Sequence, residues 1–183
     1  MSRLPLRTIE DAPEAAKAGL ESAQKNLVRL LANAPVALET YQTVSGINAR
    51  SGLTLAEREA VQITAAATHG CGFCVAGHTA VAYKKAGLKE PAVEALRHGN
   101  HGDDARLNAV ADFTRAVIRS RGNVDDAELK SFRAAGFSEA NALEVVLGVS
   151  LATLCNFASN LGQPALNAEL QPYAWVRPAA AAE

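Results

Sequence analysis

Apolar residues recur along most of this chain at the three- and four-residue spacing of helices, and nowhere in the sustained alternation of a strand. Pro13 suits the first turn of a helix on which Leu20, Leu27, Leu30 and Leu31 share a face. Pro35 opens a second helix towards Ala49. Thr54 followed by Glu57 is a capping box: the threonine can accept from the Glu57 amide while the glutamate reaches back. That helix should run to Thr68, where His69-Gly70 interrupts it, and another should run from Cys71 to Ala86 with Gly87 as its stop. Short helices are expected after Glu90 and in the Asp103 to Ser120 and Asp125 to Ala135 stretches. Ser138 caps a long final helix reaching Asn160. The tail after Pro164 carries Tyr173 and Trp175, and the closing PAAAAE is expected to fray.

The fold class is therefore all-α, and the length suits one domain over residues 1–183. Within it, 1–52 supply N-terminal helices, 53–160 a core and 161–183 a tail. Sliding the chain by 84 residues lays Thr54 on Ser138, Cys71 on Cys155 and Phe73 on Phe157, which raises the expectation of two similar helical halves. In such a pair only the first copy keeps the reactive set, since Cys74 falls on Ala158 and His78 on Gly162.

Composition narrows the classes. Alanine supplies 38 residues and aromatics 5%, which favours closely packed helices. With 18 Lys plus Arg against 19 Asp plus Glu, nothing drives the chain towards nucleic acid or an anionic membrane. No apolar run is expected to approach the roughly 18 residues that a spanning helix needs, so no membrane insertion is expected. Residues 1–20 hold no apolar block of a secretory signal. Three cysteines are too few for a disulfide scaffold, and the expected compartment is the reducing cytoplasm.

The informative stretch is EAVQITAAATHGCGFCVAGH, from Glu59 to His78. At about 100° per residue, Cys71, Cys74 and His78 fall in one narrow helical stripe. Both cysteines sit in the first turn after a glycine break, where free amides and the helix dipole favour a thiolate. Glu59 lies one helix earlier; a fold-back would let it orient His78 and relay protons. Four readings fit these residues. The cysteines and histidine are core packing; or Cys71, Cys74, His78 and His69 hold a structural zinc, although no second Cys-x-x-Cys supplies the other ligand pair. The remaining two are a thioredoxin-type dithiol, whose βαβ context is missing, and a helical dithiol enzyme with a Glu/His relay, which leads.

The quartet resembles the AhpD-like (alkyl hydroperoxidase D) branch of the carboxymuconolactone decarboxylase superfamily. Its hallmark is a Glu twelve residues before a Cys-x-x-Cys, with a His four residues after the second Cys; Glu59, Cys71, Cys74 and His78 fit every spacing. The LTLAERE helix entry, the segment from GNVDDAELK to LCNFASN and the Pro/Trp tail resemble the peroxidase-related members, so the likeness spans residues 53–175. The resemblance implies an all-α AhpD-like fold, a homo-oligomer (trimer or hexamer), and a peroxidase or disulfide-reductase cycle with no metal and no cofactor. It also implies the roles: Cys74 as the peroxide-attacking thiolate, Cys71 as the resolving thiol, and Glu59 with His78 as the proton relay. The partners it implies are a small hydroperoxide or disulfide substrate and an external dithiol or protein reductant. One position departs: the family's Cys-x-His-Cys histidine is Phe73 here, and a phenyl ring moves no protons. The other readings are a redox-sensing module whose cysteines oxidise without turnover, and carboxymuconolactone decarboxylase chemistry, whose enzymes lack the cysteine pair.

Smaller signals are read plainly. Cys155 has no cysteine or histidine within a turn and is expected to pack. His98 and His101 lie in a Gly-rich connection and are expected in solvent, the Lys84-Lys85 pair to end a helix, and the aromatic tail to be exposed at an interface. His69, beside the helix break, is left open as a cap partner, a solvent-facing residue or a modulator of Cys71.

Overall fold

Each helix starts and stops for a local reason, and the stops decide where the reactive residues meet. The computed structural model describes residues 2–23 and 25–177; the terminal PAAAAE lies outside them. Nine α-helices follow in order: α1 (Glu14–Ser22), α2 (Asn26–Leu31), α3 (Pro35–Asn48), α4 (Leu55–Thr68), α5 (Gly72–Lys84), α6 (Glu90–His98), α7 (Ala105–Ser120), α8 (Asp126–Ala134) and α9 (Glu139–Gly162). A 3-10 segment, Ala168–Tyr173, closes the set, and no strand occurs among the described residues. The all-α expectation holds.

The capping box of α4 is formed in both directions, with Glu57 Oε2 accepting from the Thr54 amide at 2.8 Å. The other Glu57 oxygen accepts from Arg106, tying α4 to α7. Burial raises the Glu57 carboxyl, but the Thr54 amide and Arg106 outweigh it and hold the group below its ordinary value. Ser138 forms a second capping box, with Asn141, at the start of α9, while the Asp104 and Asp125 carboxylates cap α7 and α8 in one direction by accepting from first-turn amides.

Two expectations about the N-terminal helices and the tail need correction. The single helix expected from Pro13 through Leu31 is broken, with Ala23 and Lys25 extended between α1 and α2. No glycine or proline breaks it. Tertiary partners hold the ends instead: Gln42 Nε2 donates to Gly19 O at 3.1 Å, and Asn167 Oδ1 accepts from the Asn26 amide at 3.1 Å. The tail is not an exposed aromatic arm. Arg97 donates to Ala174 O at 2.9 Å and pins the chain there, and Trp175 is buried against Cys71 and Cys74.

Three buried clusters result. α4, α7, α8 and the first half of α9 surround Phe113, Phe132 and Phe137, whose rings stack. α1, α2 and α3 close around Leu20, Leu31 and Leu38. The third joins the end of α4, the start of α5, α9 and Trp175, and holds all three cysteines.

The two halves related by the 84-residue slide share a cap but not a path. Thr54 and Ser138 both open capping boxes, yet the first copy turns at Gly70, at φ 69°, while α9 runs straight through. That straight run also corrects the expectation that no apolar run approaches spanning length, which was the premise of the membrane reading. α9 is, by length and composition, long and apolar enough to cross a membrane, its polar residues being too scattered and weak to interrupt it. It packs against α2, α3, α4, α5 and α7, and buries Val145, Leu151, Ala152 and Cys155.

Candidate functional site

The site begins with the turn between α4 and α5. Gly70 takes the left-handed conformation that a side chain resists, and Cys71 becomes the N-cap of α5. Gly72 is needed for space, since a Cβ there would meet the Trp175 carbonyl oxygen at 2.8 Å. The chain folds back, and α5 lies along α4. Glu59 and His78 are thereby brought together: His78 Nδ1 donates to Glu59 Oε2 at 2.8 Å. With Nδ1 so held, Nε2 is the ring nitrogen available to a reacting group. Burial pulls the imidazole pKa down, but a third of the ring's surface is exposed and the Glu59 charge prevails, so the net shift is upwards.

The two sulphurs are free thiols in different electrostatic positions. Cys71, 1% exposed, accepts the Cys74 amide at 3.3 Å on its own sulphur. The Cys74 S–H and that amide together lower the Cys71 thiol against the penalty of burial. Cys74, 4% exposed, is driven well above the ordinary thiol value by its bond to Cys71 and by burial. Of the two, Cys71 is the thiol that the site makes easier to ionise and Cys74 the harder. Ser159 on α9, buried and with no hydrogen-bond partner for its hydroxyl among the described residues, faces both sulphurs and favours charge on either.

Cys74, Phe73 and His78 open onto a cavity of about 920 Å³. Its walls are mostly apolar (Leu27, Val28, Val81, Leu151), and Tyr41 and Gln62 bring polar atoms into it. Lys25, Lys84, Lys85 and Glu169 stand at its edge, with Lys25 and Glu169 paired. Neither Tyr41 nor Gln62 was singled out in sequence: Tyr41 reaches the cavity from α3, distant in the chain, and Gln62, within the informative stretch, carries no motif spacing of its own. Cys155 also lines this cavity, in the same cluster as the reactive pair, and burial pushes its thiol up to about 12.

The remaining histidines lie elsewhere. Asn156 Nδ2 donates to His69 Nδ1 at 3.1 Å and the ring packs edge-on to Phe157, so His69 is committed to α9. Burial lowers its pKa. His98 ends α6 beside Glu94, and His101 pairs with Asp112 at 2.9 Å in solvent. Among the described residues no three His, Cys, Asp or Glu side chains converge to hold a metal ion.

Residues 35–116 match the family model described as carboxymuconolactone decarboxylase. No curated protein matches the chain. Among solved structures, an AhpD-core, peroxidase-related protein of Ralstonia eutropha JMP134 superposes with a TM-score of 0.82 over 92% of this chain and 94% of its own, at 22% identity. An Agrobacterium tumefaciens protein of unknown function, described as an AhpD of antioxidant defence, gives 0.66 over 73% and 92%, at 18% identity. The debrominase Bmp8, solved with 2,3,4-tribromopyrrole, gives 0.74 over 94% and 96%, at 14% identity. These likenesses concern the fold. Residues 35–116 thus resemble the carboxymuconolactone decarboxylase family, and the fold of the chain is the AhpD-like one.

Proposed function

We propose that the chain is a thiol-dependent hydroperoxidase or disulfide reductase working through Cys71 and Cys74. One observation carries the reading: an apolar cavity of about 920 Å³ ends on Cys74 beside an imidazole already held by a carboxylate. In the cycle, Cys74 gives its proton to Cys71 or His78 and attacks the distal oxygen of a hydroperoxide. The O–O bond breaks, and the alcohol leaves with a proton from His78 Nε2. Cys71 then attacks the Cys74 sulfenic acid, water leaves, and a Cys71–Cys74 disulfide forms before further oxidation. An external dithiol returns the two electrons. Glu59 fixes the tautomer of His78 and stabilises its cation. A homo-oligomer in the reducing cytoplasm is part of the proposal, as is the absence of a metal or cofactor.

The test is hydroperoxide consumption with a dithiol under metal-free conditions. Both Cys74→Ser and Cys71→Ser are expected to lower turnover by at least about a hundredfold. Turnover surviving either change would remove the dithiol cycle.

A second reading is favoured by Phe73, an aromatic wall beside Cys74 where relay chemistry would place a histidine. The same pair could reduce a small halogenated aromatic, replacing C–X by C–H, releasing HX and leaving the disulfide. Halide release from bromopyrroles, measured in parallel with peroxide loss, separates the two. A redox sensor without turnover would form the disulfide and consume neither.

A further inference from the structure

We propose that reducing equivalents enter at Cys71 through an opening of their own, used by a polar dithiol, and that substrate and reductant do not share a channel. The inference rests on the preceding reading in one respect: it takes the Cys71–Cys74 disulfide as the oxidised form.

The two sulphurs border different spaces. The large apolar cavity is lined by Cys74 and not by Cys71. A second cavity, of about 310 Å³, is lined by Cys71, Ser159, Asn160, Gln163, Pro164 and Phe73. Phe73 is the one residue common to both walls. Three of the six lining residues of the smaller cavity are uncharged hydrogen-bonding side chains. One of them, Ser159, is 3% exposed with its hydroxyl unpartnered among the described residues. A polar nucleophile entering here meets a hydroxyl able to donate to its sulphur; in the larger cavity it meets mostly hydrocarbon.

The chemistry sets what entry at Cys71 requires. A thiolate attacks a disulfide sulphur in line with the S–S bond, so attack on Cys71 must come from the side away from Cys74. The first thiolate of the reductant bonds Cys71 Sγ, the S–S bond breaks, and Cys74 leaves. Cys74 by itself is a poor leaving group, since burial and its neighbour hold its thiol high. His78, charged against Glu59, supplies the proton it needs. The second reductant thiolate then attacks its partner sulphur in the mixed disulfide, and Cys71 leaves as the thiolate stabilised by the Cys74 amide. Overall, protein disulfide and dithiol become protein dithiol and reductant disulfide, with two electrons transferred and protons conserved.

The experiment isolates the reductive half. Diamide oxidises the pair without any hydroperoxide, so failure of the peroxidase reading leaves the measurement intact. Reduction is followed by the fluorescence of Trp175, the single tryptophan, which packs in the cluster that holds both sulphurs. Asn160→Phe, at an exposed position, narrows the small opening; Gln163→Phe does so independently. Gly77→Leu fills the large cavity, where an added Cβ meets nothing within 4 Å. Both Phe variants are expected to slow reduction more than about tenfold while Gly77→Leu stays within about twofold of wild type. Gly77→Leu should be the variant that slows oxidation by cumene hydroperoxide. Dithiothreitol and reduced thioredoxin are run side by side, the faster one identifying a small or a protein-borne source. A faster reductant insensitive to both Phe variants, slowing by Gly77→Leu instead, or no Cys71–Cys74 disulfide after diamide would each overturn the proposal.

Discussion

At Cys71 and Cys74 a few ångströms of backbone decide which thiol ionises more easily. Cys71 caps α5 and takes an amide on its sulphur, while Cys74, inside the first turn, has its bond to Cys71 and the surrounding apolar cluster. His78 is tuned in the opposite sense by a carboxylate on the neighbouring helix. Because its folded pKa is raised, its pairing stabilises the protein fully below the ordinary imidazole value of about 6.5 and ceases to do so as pH rises through the raised value. Glu59→Gln is therefore expected to lower the His78 pKa in an NMR titration, and to cost more stability at pH 6 than at pH 8. Turnover should fall about ten- to a hundredfold, the scale of a lost proton relay; normal kinetics would take Glu59 out of the mechanism. Cys155 shares the cavity wall, yet its thiol stays protonated throughout the working range. Cys155→Ser should leave hydroperoxide turnover within about twofold, since only thiolates are the nucleophiles.

At the scale of elements, small residues set how closely helices approach. Gly162, at the end of α9, faces Leu30 of α2, where an added Cβ would lie 2.5 Å from a methyl carbon and 3.1 Å from Cγ. Gly162→Ala should destabilise the fold by about 1–3 kcal/mol in urea unfolding, the cost of overpacking, despite alanine's better helix propensity. Gly46, with open space around its Cβ position, gives the contrast: Gly46→Ala should stabilise by about 0.5–1 kcal/mol. The capping boxes at Thr54 and Ser138 were legible in sequence because a cap is a contact between residues three apart. The break between α1 and α2 was not, because Gln42 and Asn167 hold it from distant parts of the chain.

Over the whole molecule the unexplained feature is the outer face of α9. Leu143 is 72% exposed, and Val146, Phe157 and Leu161 on the same helix are exposed as well. Apolar surface gathered on one helix is the kind of patch that association covers. Sedimentation at micromolar concentration is expected to give a mass above the 19.1 kDa of one chain, and Leu143→Glu to lower it. A wild type that sediments as a monomer would leave that face without a role.

Local sequence settled the helical class, most helix ends and the spacing that sets Cys74 and His78 one turn apart on α5, because each depends on residues within a turn or two of one another; the stripe expected to include Cys71 does not form, since Cys71 is the extended N-cap of that helix. Glycine placement determined the turn as well, since the Gly70 conformation is local. Tertiary structure decided the rest. It brought Glu59 to His78 across a helix reversal, turned Trp175 inward, drew Cys155 and Ser159 up to the reactive pair, and gave each sulphur a different opening. Those outcomes depend on packing between segments far apart in the chain, and no local pattern encodes the distance between two surfaces that meet only when folded.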